Sequence, residues 1–331
     1  MSQIDKILRA FAIDINKEHL TSLYDYAPVY RFNYGGRDYV LKRTGVRSEA
    51  RADSLKGWHC VIANWTKYLV SQGIKSVAPV KDFDPNPITL FSEQDNTKEN
   101  WVIYPYIEGI SYTGSSNQIF AAGTLLGMIH AAGMEANFKL KVSKTVVAIE
   151  NKKIAAEIDI VIQKIKQYAP LKLETTKNIL NSYSQNYLNN ALPKLLKIDL
   201  PLTNCSWDYK AANLIYQTDT DPVLIDPDHG GRIPRMYDLA TALLLFHCDL
   251  IPAPKRIFTP AEWAVFIEGY KQYVKPTTKE QKTWRDLLLC AWIDQALWLL
   301  SHFPKGWADI NESNYLLNLL TPNLAEYSLS S

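Results

Sequence analysis

Apolar and polar residues alternate through much of the first third of the chain, as they do in strands that expose one face to water. Val29–Tyr34 and residues 37–42 alternate in this way on either side of Gly35 and Gly36, a pair suited to a tight turn. This pattern predicts a β-hairpin. Short apolar runs predict three further strands, at residues 77–80, 88–91 and 101–104.

Between the hairpin and these strands, and again in the later part of the chain, apolar residues recur with the spacing of a helix. Apolar residues recur every three or four positions from Leu55 to Leu69, and Gly73 stands where such a helix would end. Beyond Tyr112 the pattern is helical, at residues 119–132, 152–168 and 175–196 and in three segments between 237 and 320. We therefore expect a five-stranded sheet with one main helix up to residue 104, followed by a mainly helical part.

The composition favours a globular protein of two domains. The chain has 331 residues, of which 47% are hydrophobic and 21% charged. A net charge of only +2 argues against a nucleic-acid partner and against a basic membrane anchor. The four cysteines are far apart and form no Cys-x-x-Cys pair, which argues against structural zinc and disulfides. Because no secretion signal is recognisable, we expect a cytoplasmic protein. We also expect either a monomer or a homodimer.

One short segment carries several groups suited to phosphate chemistry. Residues 207–213 read Trp-Asp-Tyr-Lys-Ala-Ala-Asn, and residues 224–226 read Leu-Ile-Asp. Protein kinases use the order Asp-x-Lys-x-x-Asn in their catalytic loop, with a metal-binding Asp downstream. Phosphoryl transfer depends mainly on positioning and on neutralising charge, which these residue types supply. The residues that reproduce the order are Asp208, Lys210, Asn213 and Asp226.

Two apolar triplets lie between Asn213 and Asp226. They are residues 214–216 and 223–225, and a polar turn joins them. A hairpin of this kind would return Asp226 towards Asn213, where one carboxylate, one amide oxygen and the nucleotide phosphates suffice to bind Mg²⁺. The alternative is a surface hairpin in which Asp and Asn serve only the turn.

Five motifs lie in order along the chain. They are Tyr-Val-Leu-Lys at 39–42, Tyr-Pro-Tyr-Ile-Glu-Gly at 104–109, Leu-Leu-Gly-Met-Ile-His at 125–130, the segment 207–226, and Arg-Met-Tyr-Asp-Leu-Ala at 235–240. Together they resemble the aminoglycoside phosphotransferase and choline kinase-like family. The resemblance implies an α+β, bilobal protein-kinase-like fold. Its small lobe, residues 1–104, would hold a five-stranded antiparallel sheet and one main helix and bind the nucleotide, and its larger helical lobe would span residues 105–331.

The resemblance also implies how the nucleotide is bound. Lys42 would contact the α- and β-phosphates of ATP, or of GTP, whereas by itself it reads as an exposed lysine at a strand end. The hinge would offer backbone groups to the adenine, and Pro105 can offer only its carbonyl. The hinge residues are Tyr104, Pro105, Tyr106 and Ile107.

Roles in catalysis follow from the same resemblance. Asp208 would orient or deprotonate the acceptor hydroxyl, and Lys210 would steady the transferred phosphate. Asn213 and Asp226 would hold Mg²⁺, and Asp228 would add a contact outside the metal's ligands or to the substrate. His130 and Asp238 read as structural residues, a packed histidine and a helix cap.

Three departures from the family pattern stand out. Ser206 occupies the place of the usual His before the catalytic Asp, so the loop must be anchored differently. Pro227, rather than Phe, follows the metal-binding Asp. Kinases pair the strand lysine with a Glu in the middle of the first helix, but residues 58–66 contain no acid, and the nearest carboxylates are Glu49 and Asp53.

Asp294 is the main candidate for substrate recognition. It lies in an apolar helical segment, where a carboxylate needs a partner, either a cationic substrate or a Lys or Arg of a neighbouring helix. Trp292 and Trp298 read either as an aromatic pocket for an ammonium group or as core residues.

Three functions are compatible with these residues. The first is an ATP- and Mg²⁺-dependent phosphotransferase acting on a hydroxyl of a small molecule, such as an aminoglycoside-type antibiotic, a sugar or an amino alcohol. The second is a catalytically weak or inactive relative with a regulatory or scaffold role. A protein kinase is less favoured, because only eleven residues separate Asp226 from Asp238, too few for an activation loop.

Overall fold

The chain divides into two compact units. The structure, a computed structural model, describes residues 2–24, 27–48, 52–84, 86, 88–92, 97–142 and 148–329. Unit 1 comprises Met1–Glu108 and Val223–His229, and unit 2 comprises Gly109–Pro222 and Gly230–Ser331. The sequence predicted a single boundary after residue 104. The units instead divide after Glu108, and a short segment from the second half of the chain belongs to unit 1.

Unit 1 contains a five-stranded antiparallel sheet in the order β1-β2-β3-β5-β4. The strands are β1 Thr21–Ser22, β2 Val29–Tyr34, β3 Arg37–Ser48, β4 Ile88–Ser92 and β5 Thr97–Pro105. Gly35 and Gly36 turn the β2–β3 hairpin with φ angles of 61° and 78°, values that a side chain disfavours. The predicted hairpin is thus confirmed, and it pairs Lys42 with Val29.

Two helices accompany the sheet. They are α1 Gln3–Ala10 and α2 Ala52–Ser71. Helix α1 begins with a capping box between Ser2 and Asp5, and its buried Ile7 and Leu8 belong to one apolar core with side chains of the sheet such as Leu41. Helix α2 is the predicted main helix, and Gly73, with a φ of 75°, follows its end as expected.

One predicted strand is wrong. Residues 77–80 form no strand, and β1 is the fifth member of the sheet. Pro79 lacks an N–H group, which weakens any ladder through this segment. The Val77 N–H donates to the Leu224 carbonyl, and the Val80 N–H donates to the Ile103 carbonyl. The segment therefore connects the sheet to the returning segment Val223–His229 without becoming a strand.

Unit 2 is mainly helical. Its helices are α3 Ser116–Glu135, α4 Asn151–Tyr168, α5 Leu173–Asn186, α6 Leu192–Leu195, α7 Arg235–Leu245, α8 Pro260–Lys271, α9 Thr278–Ala291, α10 Leu297–His302, α11 Pro304–Ala308 and α12 Ile310–Leu320. π-Helical turns at Tyr187–Ala191 and Trp292–Ala296 link α5 to α6 and α9 to α10. The predicted helices at 119–132, 152–168 and 175–196 are confirmed, the last with this interruption. None of the described helices combines the length and apolar character needed to span a membrane.

Short strands carry the catalytic motif. They are β6 Leu202–Cys205, β7 Leu214–Tyr216, β8 Pro222–Leu224 and β9 Gly231–Pro234, and β6 pairs with β9. The two strands predicted on either side of the polar turn correspond to β7 and β8. Nearby, α3 and α8 approach closely because Gly123 has no side chain: a Cβ there would lie 2.0 Å from the Phe266 carbonyl oxygen. Helix α3 also approaches β6, since a Cβ at Gly133 would lie 2.1 Å from the Asn204 carbonyl oxygen.

Candidate active site

The loop between β6 and β7 holds Asp208 and Asn213 together in unit 2. A single 3₁₀ turn, Ala211–Asn213, precedes β7. The Asn213 side-chain NH₂ donates to the Asp208 carbonyl oxygen at 2.8 Å and to Asp208 Oδ2 at 3.1 Å. Because both bonds use the nitrogen of the amide, the amide oxygen of Asn213 is left as an acceptor for a cation.

Tyr209 and Ala211 anchor this loop. The buried Tyr209 hydroxyl donates to the Ala122 carbonyl of α3 at 2.8 Å, and the Ala211 N–H donates to the Phe246 carbonyl just after α7. Ser206, which stands where the family usually has His, is buried, and its hydroxyl has no hydrogen-bond partner among the described residues. The loop is therefore held through the residues after Asp208 rather than through the residue two positions before it.

Trp207 gives the loop an unusual backbone. Its φ of 63° is in the left-handed region, which costs a non-glycine residue on the order of 1 kcal/mol. The ring lies against Gly231 of β9, where a Cβ would come within 2.5 Å of ring carbon Cε3. Gly231 thus makes room for Trp207, and the strained turn carries the chain from β6 into Asp208.

Lys210 lies between two carboxylates. Its Nζ is 3.0 Å from Asp249 Oδ2 and 3.5 Å from Asp208 Oδ1. Burial opposes the charge, but Asp208 and Asp249 outweigh it and raise the pKa of Lys210 above its ordinary value. Asp249 was missed by the sequence analysis. Its φ of 60° is in the left-handed region, and no sequence motif predicts its position beside Lys210.

Lys42 also lies between two carboxylates, in unit 1. Its Nζ is 2.5 Å from Asp226 Oδ1 and 2.7 Å from Asp228 Oδ2. Burial acts against the ammonium, yet Asp228 and then Asp226 raise the pKa of Lys42 above its usual range. Lys42 is therefore not an isolated lysine at a strand end. Of the acids expected near it, Glu49 lies outside the described residues, as does the side chain of Asp53.

The hinge residues close the same face of unit 1. The buried Tyr104 hydroxyl donates to Asp228 Oδ1 at 2.7 Å, and burial, followed by Asp228, raises the pKa of Tyr104 so that it stays protonated. The Tyr106 N–H donates to the Asp38 carbonyl at 3.1 Å. Val77, Val102 and Tyr104 form an apolar cluster on which three partly buried side chains pack, those of Val40, Ile107 and Ile225.

Oxygen ligands for a divalent cation are present in each unit. In unit 1 the Asp226 side chain is 32% exposed, whereas that of Asp228 is 6% exposed. In unit 2 the Asn213 amide nitrogen faces Asp208, which leaves the Asn213 amide oxygen and the Asp208 carboxylate as candidate ligands. Mg²⁺ prefers a few such oxygens together with water and phosphate. The residues present thus fit the ion that the sequence implied.

A second cluster contains residues that could bind a metal ion, but its side chains are used in contacts with one another and with Tyr270. His130, Cys205 and Asp238 are all buried, with candidate ligand atoms within 4.8 Å of one another. Both nitrogens of His130 are engaged, Nε2 with Asp238 Oδ2 and Nδ1 with the Tyr270 hydroxyl, each at 2.9 Å. The predicted capping role of Asp238 is wrong, because α7 begins three residues earlier, and Asp238 instead pairs with the packed His130.

The residues suggested for substrate recognition differ in their exposure and in their partners. Asp294 lies in the π-helical turn before α10 and is 3.4 Å from Lys153 Nζ, with the Tyr237 hydroxyl at 2.5 Å and Gln295 Nε2 at 2.8 Å. Trp292 is fully buried, and its Nε1 donates to the Leu319 carbonyl. Trp292 is therefore a core residue and has no surface for a substrate, whereas Trp298 is 47% exposed.

Comparison with known proteins identifies a family and a fold. Residues 25–288 match the phosphotransferase enzyme family. No curated protein matches the chain significantly in sequence. Among solved structures, an amicoumacin kinase in complex with AMP-PNP and Ca²⁺ is similar with a TM-score of 0.64 and 17% identity, covering 99% of this chain and 94% of that one.

Two further structures share the fold. An aminoglycoside phosphotransferase from Alicyclobacillus acidocaldarius has a TM-score of 0.58 and 13% identity, over 96% of this chain and 94% of its own. A choline kinase from Streptococcus pneumoniae has a TM-score of 0.54 and 16% identity, over 98% of this chain and 100% of its own. These similarities confirm the α+β, protein-kinase-like fold predicted from the sequence.

The protein is thus a phosphotransferase with a protein-kinase-like fold. The chain belongs to the phosphotransferase enzyme family, since the match covers most of its length, as the five motifs implied.

Proposed function

We propose that this phosphotransferase moves the γ-phosphate of ATP, in the presence of Mg²⁺, to a hydroxyl of a small molecule. The observation that carries the proposal is the pair of hydrogen bonds from the Asn213 amide to Asp208, at 2.8 and 3.1 Å. They hold a carboxylate ready to accept a hydroxyl proton and leave the amide oxygen for a metal ion.

Unit 1 supports the nucleotide half of the proposal. Lys42 would bind the α- and β-phosphates, and Asp226 would be the ligand of Mg²⁺ that unit 1 supplies. The apolar cluster around Val77, Val102 and Tyr104 suits the faces of an adenine ring. Since the Tyr106 N–H is used by Asp38, we assign the backbone donor for the adenine edge to Ile107 and an acceptor to the Pro105 carbonyl. Guanine would need a different set of edge contacts, which makes GTP the second choice.

Unit 2 supports an acceptor that carries an amino group. Solved structures with the same fold include an aminoglycoside phosphotransferase and a choline kinase, which are named for compounds with amino or quaternary ammonium groups. Asp294 and the buried Glu157 both lie near Lys153 Nζ, at 3.4 and 3.9 Å, and burial raises the pKa of Glu157. We propose that a substrate ammonium competes with Lys153, whose side chain is 47% exposed, for these carboxylates.

The test combines nucleotide binding with transfer. Purified protein is heated with ATP, GTP or ADP, with and without Mg²⁺, and ADP release is then followed with aminoglycosides, choline, amino alcohols and neutral sugars. We expect Mg²⁺-dependent thermal stabilisation by ATP and turnover with an amine-containing acceptor. Absence of stabilisation by every nucleotide would refute the proposal, and it would favour the alternative of an inactive relative with a scaffold role.

The acceptor assignment has its own control. Asp294→Asn should raise KM for the amine acceptor several-fold and leave the KM for ATP unchanged, because it removes one carboxylate from the ammonium site. Asp199→Asn, at an exposed position of unit 2, is the matched control and should change neither constant. Turnover of neutral sugars that Asp294→Asn does not alter would limit the role of Asp294 to amines, whereas an unchanged KM for amines would remove it from the site.

A further inference from the structure

Lys42 and Tyr104 lie side by side on one face of the sheet. In the β3–β5 ladder Lys42 is opposite Val102 and Val40 is opposite Tyr104. Residues two apart on a strand point to the same face, so Lys42 and Tyr104 are diagonal neighbours across the two strands. Both side chains project towards whatever covers this face.

The segment Val223–His229 covers part of this face. It is attached by backbone hydrogen bonds, from the Val77 N–H to the Leu224 carbonyl at 2.9 Å and from the Leu224 N–H to the Lys75 carbonyl at 3.0 Å. Ile225 then packs on the apolar cluster next to Lys42. The carboxylate of Asp228 is thus brought to Lys42 by the fold of the backbone.

Both oxygens of Asp228 are engaged. Oδ1 accepts the Tyr104 hydroxyl at 2.7 Å, and Oδ2 is 2.7 Å from Lys42 Nζ. The side chain is 6% exposed, against 32% for Asp226. A buried carboxylate that is held from both sides suits a fixed partner, whereas the more exposed Asp226 suits a ligand that must reach a metal ion.

We propose that Asp228 is the residue that positions Lys42 for the nucleotide phosphates. It takes the part that a glutamate in the middle of the first helix plays in protein kinases. Among the acids that the structure describes, those that pair with Lys42 are Asp226 and Asp228. Asp226 alone would have to serve Lys42 and Mg²⁺ at once, and Asp228 removes this conflict. The inference rests on the proposed nucleotide-dependent function.

The test is a double-mutant cycle on ATP binding. Affinity for Mg²⁺–ATP is measured by thermal shift titration for the wild type, Asp228→Asn, Lys42→Met and the double variant. We expect Asp228→Asn alone to weaken binding roughly tenfold, because it removes the charge of a close ion pair with Lys42. In the Lys42→Met background, Asp228→Asn should weaken ATP binding by less than about twofold, because the ammonium that Asp228 would position is absent.

Additive effects would overturn the inference. If Asp228→Asn weakens binding equally with and without Lys42, Asp228 acts on the metal or the substrate directly. Asp82→Asn, at an exposed site of unit 1, is the control and should leave ATP affinity unchanged. A wild type that binds no nucleotide would instead refute the proposed function, so the two failures are distinguishable.

A milder substitution keeps the test informative if Asp228→Asn or Lys42→Met does not fold. Tyr104→Phe removes one hydrogen bond of Asp228 and retains both charges. The rate at which Lys42 is acylated by acetic anhydride is compared with that of Lys210 by mass spectrometry. We expect the ratio to rise severalfold in Tyr104→Phe, because a less firmly held Asp228 protects the ammonium less. An unchanged ratio would count against Asp228 as the anchor of Lys42.

Discussion

Each unit contains a lysine between two aspartates, and the two arrangements differ in burial. In unit 1 the distances from Lys42 Nζ to Asp226 and Asp228 are 2.5 and 2.7 Å, and Asp228 is almost fully buried. In unit 2 the distances from Lys210 Nζ to Asp249 and Asp208 are 3.0 and 3.5 Å, and both carboxylates are 30% exposed. The same two residue types therefore form a tight group with one buried carboxylate in unit 1, and a looser group with two partly exposed carboxylates in unit 2.

The difference suggests two uses of a lysine in one enzyme. A buried ammonium with a buried partner is held in one place, because leaving either charge unpaired is costly. An ammonium between exposed carboxylates exchanges partners at little cost, since water screens each pair. We therefore interpret Lys42 as a fixed contact for the nucleotide and Lys210 as a group able to follow the phosphate during transfer.

Asp208→Asn should have the largest effect and would test the catalytic side of the comparison. The amide keeps the shape of the side chain but cannot accept the hydroxyl proton, so kcat should fall about 10² to 10⁴-fold. Thermal stabilisation by Mg²⁺–ATP should persist, because Lys42 and the hinge belong to unit 1. ADP-release kinetics and thermal shift measure the two effects, and a fully active variant would remove Asp208 from catalysis.

Lys42→Met and Lys210→Met compare the two lysines directly. We expect the first to lower the free energy of unfolding by about 3 to 5 kcal/mol, because Asp228 would be left buried without its cation. The second should cost less, because the two carboxylates beside Lys210 are each 30% exposed and water can solvate them once the lysine is removed. Urea unfolding at neutral pH gives both values. Equal losses would show that the difference in burial has no energetic meaning.

Acid should lower the free energy of unfolding through His247, which lies in the same segment as Asp249. His247, two residues before it, is buried between the Tyr112 hydroxyl at 2.9 Å and the Arg256 carbonyl at 2.8 Å. Burial lowers the pKa of His247 to about 4 from an ordinary 6.5, so the unfolded chain binds the extra proton more readily. Its contribution to stability is complete above pH 6.5 and disappears as the pH falls towards 4, by about 3 kcal/mol in all.

Unfolding free energies measured between pH 4 and 7 test this expectation. His247→Gln should flatten the slope in that window, whereas His19→Gln, at an exposed position of unit 1, should leave it unchanged. A slope that survives His247→Gln would assign the acid sensitivity to other groups.

Substitutions of Asp249 should have the smallest effect on kcat. Asp249→Gly relieves the positive φ while removing the carboxylate, and Asp249→Asn tolerates the same φ without the charge. We expect both to keep the thermal stability and to lower kcat about threefold to fivefold, because Lys210 loses one of two partners. If both variants are as active as the wild type, Lys210 needs no second carboxylate.

Local patterns predicted most of the elements. The two-glycine hairpin, helix α2 and the helices of unit 2 follow from periods of two and of three to four residues, which depend on neighbours in the sequence. Residues 77–80 were assigned wrongly because an apolar run does not reveal what its N–H groups bind. Asp238 was read as a helix cap because its partner His130 is more than one hundred residues away.

The sequence by itself determined the chemical class of this protein. The order of Lys42, the hinge, Asp208, Asn213 and Asp226 resembles that of a phosphotransferase family, and the family match confirmed this resemblance. Only the tertiary structure decided which acid accompanies each lysine. Asp228 reaches Lys42 across 186 positions and Asp249 reaches Lys210 across 39, and contacts at such separations depend on how the backbone returns. The burial of Asp228, which distinguishes the two groups, exists only after folding.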